Sequence, residues 1–233
     1  MPVGAGGVVH VNVNCRDLER SLAFYRDVLG LQPVTRTNPE QPQPGAAFGL
    51  EWAQWDAWMM AGPRGFGAPV VDLLQWVVPE PVERHDGGTV GLCRLRMGGG
   101  AAYAALADPD GLAIDVRPGP PGLTGVTVAC SDPDRSSAFY RTLGVGGFVE
   151  LVEGVGTAPA GANTVGIWRL ALATADIDAD VAELSRAGVR CLSDPVEMSM
   201  GPGLPVLRFV LFPDPDGTML ELIERPASPA GPR

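Results

Sequence analysis

The chain has 233 residues, 45% of them hydrophobic and 19% charged, enough for a sizeable core in one large domain or two small ones. A net charge of −10 with no basic cluster argues against a nucleic-acid partner, and no apolar run approaches the roughly 20 residues of a membrane helix. The N-terminal MPVGAGGVV has neither the basic region nor the cleavage site of a secretory signal, so the expectation is a cytoplasmic protein.

In chain order, residues 8–14 (VVHVNVN) alternate as a half-buried strand carrying His10. Asp17 is placed to cap a helix from Leu18 to about Leu29, which Gly30 stops. Strands are expected at 32–36, 46–52, 56–61 and 69–77. The last quarter repeats this order, with a strand at 165–173, a helix at 177–187 closed by Gly188, and strands at 189–193, 205–212 and 218–224. The middle is shorter. Only GGG stands between Met97 and Ala101 where a helix would be expected, and GVGTAPAGAN (154–163) is too short and glycine-rich for two more strands. Cys15, Cys93, Cys130 and Cys191 contain no CxxC spacing and, three of them lying in or at the ends of apolar strand-like stretches, read as buried free thiols.

The chain also repeats itself. CRDLERSLAFYR (15–26) and CSDPDRSSAFYR (130–141) share eight of twelve positions, and DPDG recurs at 108–111 and 214–217 as a hairpin turn. Two halves follow: residues 1–118, with a complete first unit and a shortened second, and 123–226, with a shortened third and a complete fourth. A Pro/Gly linker at 119–122 joins them, and 227–233 form a tail.

The strand–helix stretch around His10 and the ending DPDGTMLELIE (214–224) resemble the vicinal oxygen chelate superfamily. That family includes glyoxalase I, methylmalonyl-CoA epimerase, extradiol dioxygenases, and the fosfomycin and bleomycin resistance proteins. The resemblance implies an α+β fold of tandem βαβββ modules. They form cup-shaped mixed sheets in two pseudo-symmetric, glyoxalase-like halves, with the first and fourth modules sharing one cup and the second and third the other. It further implies a divalent metal (Fe, Mn, Ni, Co, Zn or Mg) held in the outer cup by His10, Asp72 and Glu221, and no nucleotide cofactor. The inner cup would offer only Gly91, Gly125 and Asp115, its last ligand position being deleted, and would be structural.

The implied function is that of a metal-dependent lyase, isomerase or oxygenase acting on a small oxygen-rich molecule, an aromatic or polyketide-like secondary metabolite among the options. Glu221, Arg169 and His10 would be its catalytic groups. Two alternatives stand beside it: a metal-free enzyme using Arg169 with the carboxylates and His10, and a drug-binding protein of the bleomycin-resistance type. Arg169 is the departure from the family pattern, because a guanidinium cannot ligate a metal; it also stands as a substrate-binding residue. Asn12 and Asn14 share His10's face at i+2 and i+4 and, with Trp58 and Trp76, are candidates for binding substrate. Trp55, Met59 and Met60 suit a lining for a planar ligand. Trp168, next to Arg169, is expected to face away from the cup, and His85 to lie in a loop. The partner is a small molecule, with no nucleic acid or membrane. The chain is expected to be a monomer, with a dimer left open.

Overall fold

A computed structural model describes residues 3, 6–83, 90–156, 158 and 161–225. In chain order they form β1 (Val8–Asn14), α1 (Leu18–Asp27), β2 (Gln32–Thr37), β3 (Gln43–Pro44), β4 (Trp52–Ala61), β5 (Val70–Val78), β6 (Gly91–Gly100), β7 (Ala104–Ala107), β8 (Ala113–Pro118) and β9 (Gly122–Cys130). There follow α2 (Pro133–Thr142), β10 (Val149–Glu153), β11 (Gly166–Thr174), α3 (Ile177–Arg186), β12 (Val196–Ser199), β13 (Val206–Pro213) and β14 (Met219–Glu224). Among the described residues no helix is long and apolar enough to cross a membrane. His85 and the tail lie outside the described residues.

Each helix starts at an aspartate in extended conformation whose carboxylate accepts the backbone N–H three residues on: Asp17 from Arg20, Asp132 from Arg135, Asp176 from Ala179. Gly30, at φ +71°, closes α1 by donating its N–H to the Arg26 carbonyl.

The strands assemble into two curled sheets. The larger runs β12-β13-β14-β11-β1-β5-β4-β2 with β3 on β4, and the smaller runs β10-β9-β6-β8-β7. The first and last quarters of the chain therefore share one sheet and the middle forms the other, with β1 antiparallel to β11 and β6 antiparallel to β9. A core containing Val11, Leu73, Leu170 and Leu220 from the large sheet and Leu95, Ile114, Val126 and Val128 from the small one fills the space between them. A second core, rich in aromatic side chains, lies on the opposite face of the large sheet, inside its curl.

The duplicated motifs latch one sheet to the other. Helix α1 lies on β4 and β5 of the large sheet, yet its Tyr25 hydroxyl donates to Asp108 (3.2 Å) in the β7–β8 turn of the small sheet. Conversely α2 lies on β10 of the small sheet, and its Tyr140 donates to Asp214 (2.8 Å) in the β13–β14 turn of the large one. Each aspartate also accepts the N–H groups two and four residues ahead, which shapes the DPDG turn. Burial pushes both carboxyls above their ordinary range although these hydrogen bonds pull the other way.

Two expected strands are corrected. Residues 46–52 do not run as one strand: Ala46–Phe48 is a single 3-10 turn between Gly45 and Gly49, and Gly49 takes φ +69°. Residues 189–193 make one backbone bond to β13, Leu192 N–H to the Leu211 carbonyl (2.8 Å), and regular pairing begins only after Pro195. Proline has no N–H to give to a ladder, so the strand starts beyond it.

Candidate functional site

The site is built where β1 and β11 cross the middle of the large sheet. Simple alternation fails there twice. Val8 pairs with Leu172 and His10 with Ala171, so Val9 is an extra residue on β1; Asn12 pairs with Arg169 and Val13 with Ile167, so Trp168 is an extra residue on β11. Each bulge immediately precedes a site residue and turns two successive side chains to the same face. Trp168 accordingly joins the aromatic core inside the curl instead of pointing away from it. That corrects the sequence expectation, which assumed an unbroken period of two.

Asp72 on β5 and Glu221 on β14 come alongside, because Asn12 pairs with Asp72 and Ala171 with Glu221. His10, Asp72, Arg169 and Glu221, from opposite ends of the chain, thus meet at one point with each residue 6% exposed or less. Arg169 lies between the acids, with Nε 2.8 Å from Glu221 Oε2 and Nη2 3.1 Å from Asp72 Oδ2. His10 Nε2 is 3.3 Å from Glu221 Oε2 and 3.8 Å from Asp72 Oδ2. Burial alone would raise the Glu221 carboxyl, but the Arg169 charge, reinforced by His10, outweighs it and holds the group at about 2. Several buried polar atoms here have no hydrogen-bond partner: His10 Nε2, Asp72 Oδ1, Asn12 Oδ1, Arg169 Nη1 and Trp168 Nε1.

A cavity opens above this cluster, walled by Phe48, Trp55, Trp76, Phe209, Met59 and Met200. It measures about 40 Å³. At ~10–15 Å³ per ordered water that is room for a few waters. Arg169 is flanked by the rings of Trp168 and Phe48, with Cζ 5.4 and 5.9 Å from their centroids.

The remaining sequence candidates divide. Trp76 lines the cavity, as do Trp55 and Met59. Trp58 and Met60 do not, for alternation along β4 sends them to the opposite face, against the inter-sheet core. There Arg36 stacks on the Trp58 ring. Asn12 points its amide at Asp72 Oδ2 (3.2 Å) and so orients a site carboxylate without lining the cavity. Asn14 is committed to structure: its amide donates to the Ala162 and Thr164 carbonyls (2.7 and 2.8 Å), and its oxygen accepts from Trp76 Nε1. Phe48, Phe209 and Met200 were missed. Glycines at 45 and 49 were the available sign of a turn at Phe48, but nothing local marked the other two.

The small sheet repeats the bulged register. Leu92 pairs with Val128 and Arg94 with Thr127, then Arg96 with Gly125 and Met97 with Leu123, so Cys93 and Thr124 are its extra residues. By this register Arg94, not Gly91, stands where His10 does, and Gly125 stands where Arg169 does. Asp115, paired with Arg96, matches Asp72; Glu150, paired with Thr127, matches Glu221, so that last-strand position is present on β10. Gly91 falls at the His10 position by residue count alone, because bulges exist only in the pairing. No ligand set results. Arg94 pairs with Asp115 (3.0 Å) and Arg96 with Glu150 (3.3 Å), while Arg96 Nη2 would lie 2.2 Å from any Cβ at Gly125.

The donor chemistry of His10, Asp72 and Glu221 would suit a divalent ion. Their arrangement does not fit one. Arg169 holds Glu221 Oε2 and Asp72 Oδ2, the oxygens that converge on the site, and its fixed positive charge would repel an ion placed among them. Among the described residues no group of three or more His, Cys, Asp or Glu side chains is arranged to hold a metal.

Solved structures share the fold. Maize glyoxalase I matches with a TM-score of 0.66 at 17% identity, over 94% of this chain and 92% of that one. A putative dioxygenase from Bacillus subtilis matches with a TM-score of 0.63 at 14% identity, over 96% and 86%. The CppA protein of Streptococcus pneumoniae matches with a TM-score of 0.56 at 11% identity, over 94% and 100%. No curated protein sequence matches significantly. The model of the Glyoxalase/Bleomycin resistance protein/Dioxygenase superfamily matches residues 7–65 and 145–222, which carry β1 to β4, β10 to β13 and most of β14. With more than half of its length matched in this way, the chain belongs to that superfamily.

Proposed function

We propose that the cup of the large sheet, formed by the first and fourth βαβββ modules, binds a small oxygen-rich organic molecule directly, without a metal between protein and ligand. The observation that carries this reading is Arg169 seated between Asp72 and Glu221 with Nη1 left over. An acceptor oxygen of the ligand takes Nη1, and a ligand hydroxyl donates to Asp72 Oδ1, so both unpaired atoms are satisfied at once. Glu221, held at about 2, is too weak a base to work near neutrality, which favours binding over proton abstraction by this carboxylate.

A second reading, a metal-free isomerase or lyase, draws on one further observation. His10 Nε2 lies beside Glu221 with no hydrogen-bond partner, and an imidazole can carry a proton to or from a bound ligand.

Thermal stabilisation by a panel of small hydroxy-carbonyl compounds, with chelator and with added Mn²⁺ or Zn²⁺, tests the proposal. Stabilisation indifferent to chelator and lost in Arg169→Met is expected. Stabilisation that requires the added ion overturns it. Chemical change of the bound compound that depends on His10 selects the second reading.

A further inference from the structure

The cavity, with room for a few waters, is too small for an aromatic ring, and Phe48 is among the side chains that fill the cup. The residue is 7% exposed and its ring stands inside a box of aromatic side chains. Ring centroids lie 6.0 Å away for Trp55, 5.6 Å for Trp76, 6.2 Å for Trp168 and 5.5 Å for Phe209, the last nearly parallel at 29°. Phe48 also sits over the Arg169 guanidinium. A flat ring is therefore already seated beside the free donor of the site.

The segment carrying that ring is hydrogen-bonded as a unit. Residues 45–51 close their backbone hydrogen bonds on themselves: Phe48 N–H and Leu50 N–H to the Gly45 carbonyl (2.8 and 3.1 Å), Gly49 N–H to Ala46 (3.0 Å), Gly45 N–H to Glu51 (3.0 Å). The stem is the two-residue β3, pairing Gln43 with Ala53 and Pro44 with Trp52. Swinging the turn out breaks none of these internal bonds. What it gives up is the burial of Phe48 and Ala47, the packing of Leu50 and the contact of Phe48 with Arg169, and an incoming ring would replace the Phe48 contacts on the cup's side.

We infer that Phe48 fills the seat of the ligand's own ring, and that the ligand is a planar aromatic molecule bearing an acidic or carbonyl oxygen next to a hydroxyl, which enters by displacing the 45–51 turn. This rests on the proposed function, since the ring's oxygen substituents are what Arg169 and Asp72 would hold.

Salicylate is a suitable probe, with acetate (no ring) and benzene (no oxygen) as controls; binding is read by calorimetry and by quenching of the tryptophans that box the seat. Phe48→Ala should bind salicylate at least ~10-fold more tightly than the wild type, Phe48→Leu should fall between them, and Arg169→Met added to either should abolish the gain. Acetate should gain nothing, and benzene binding should not depend on Arg169. In the wild type, saturating salicylate should move the Phe48 ring away from Trp55 and Trp76, visible as a change in the ring-current shifts of its NMR signals. If salicylate binds the wild type and both Phe48 variants equally while still needing Arg169, the seat is wrong and the proposed function survives. If the Phe48 variants bind benzene but not salicylate, the opened space is an apolar cavity and both readings fall. Should Phe48→Ala not fold, the affinity order of Phe48→Leu and wild type decides.

Discussion

Replacing Arg169 by methionine keeps the bulk of the side chain and removes the charge between Asp72 and Glu221. Both carboxylates are 2% exposed, so neither can turn to water for compensation, and Asn12 and His10 are left as the nearby polar partners. Stranding one member of a buried pair costs about 3–5 kcal/mol. At roughly 2–4 °C per kcal/mol for a chain of this size, the melting temperature should fall by roughly 6–20 °C.

The pH dependence should also change sign. In the wild type Glu221 is held at about 2 against an ordinary 4.5. Its stabilisation is therefore complete above about 4.5 and is lost as the pH falls toward 2, an effect on the order of 3 kcal/mol. Without Arg169 the main opposing charge is gone and burial pushes the Glu221 carboxyl up. The variant should then be most stable in acid and lose stability as the pH rises toward neutrality. Thermal melts between pH 2 and 8, with circular dichroism at each end to verify the fold, measure both effects. A variant that melts within 2 °C of the wild type with a parallel pH profile would refute the claim that Arg169 compensates the two acids.

Tyr140→Phe deprives the buried Asp214 of its hydroxyl donor and should cost about 1–3 kcal/mol in urea denaturation, with little effect on ligand binding. Gly125→Ala places a Cβ 2.2 Å from Arg96 Nη2 and 2.6 Å from the Phe148 carbonyl, so it should destabilise by about 1–3 kcal/mol and shift Arg96 off Glu150, visible in a crystal structure of the variant. Asp115→Asn, on the small sheet, should leave ligand affinity within about twofold, while Glu221→Gln reduces it at least ~10-fold; equal losses in a titration would place the binding site on the wrong sheet.

Local pattern was sufficient for much of this molecule. The first helix start was legible because Asp17 caps through a bond that spans three residues, and the strands around 8–14, 70–78 and 219–224 because short apolar runs bounded by glycine or proline mark strands, although 8–14 proves buried on both faces and not half-buried as its alternation suggested. The repeated tyrosine helix and DPDG turn were visible as text, but not that each helix ties itself to a turn in the opposite sheet, since that contact joins residues 83 and 74 positions apart. His10, Asp72, Arg169 and Glu221 could be named from the family pattern. Their distances could not, because the charge balance depends on where one guanidinium settles among four strands. Bulges at Val9 and Trp168 slip the alternation by one residue, and a period of two read along the chain has no way to register an extra residue that only pairing defines. Phe48 was hidden for the same kind of reason: a turn of three residues has no periodicity, and its place over Arg169 exists only once the large sheet has curled around it.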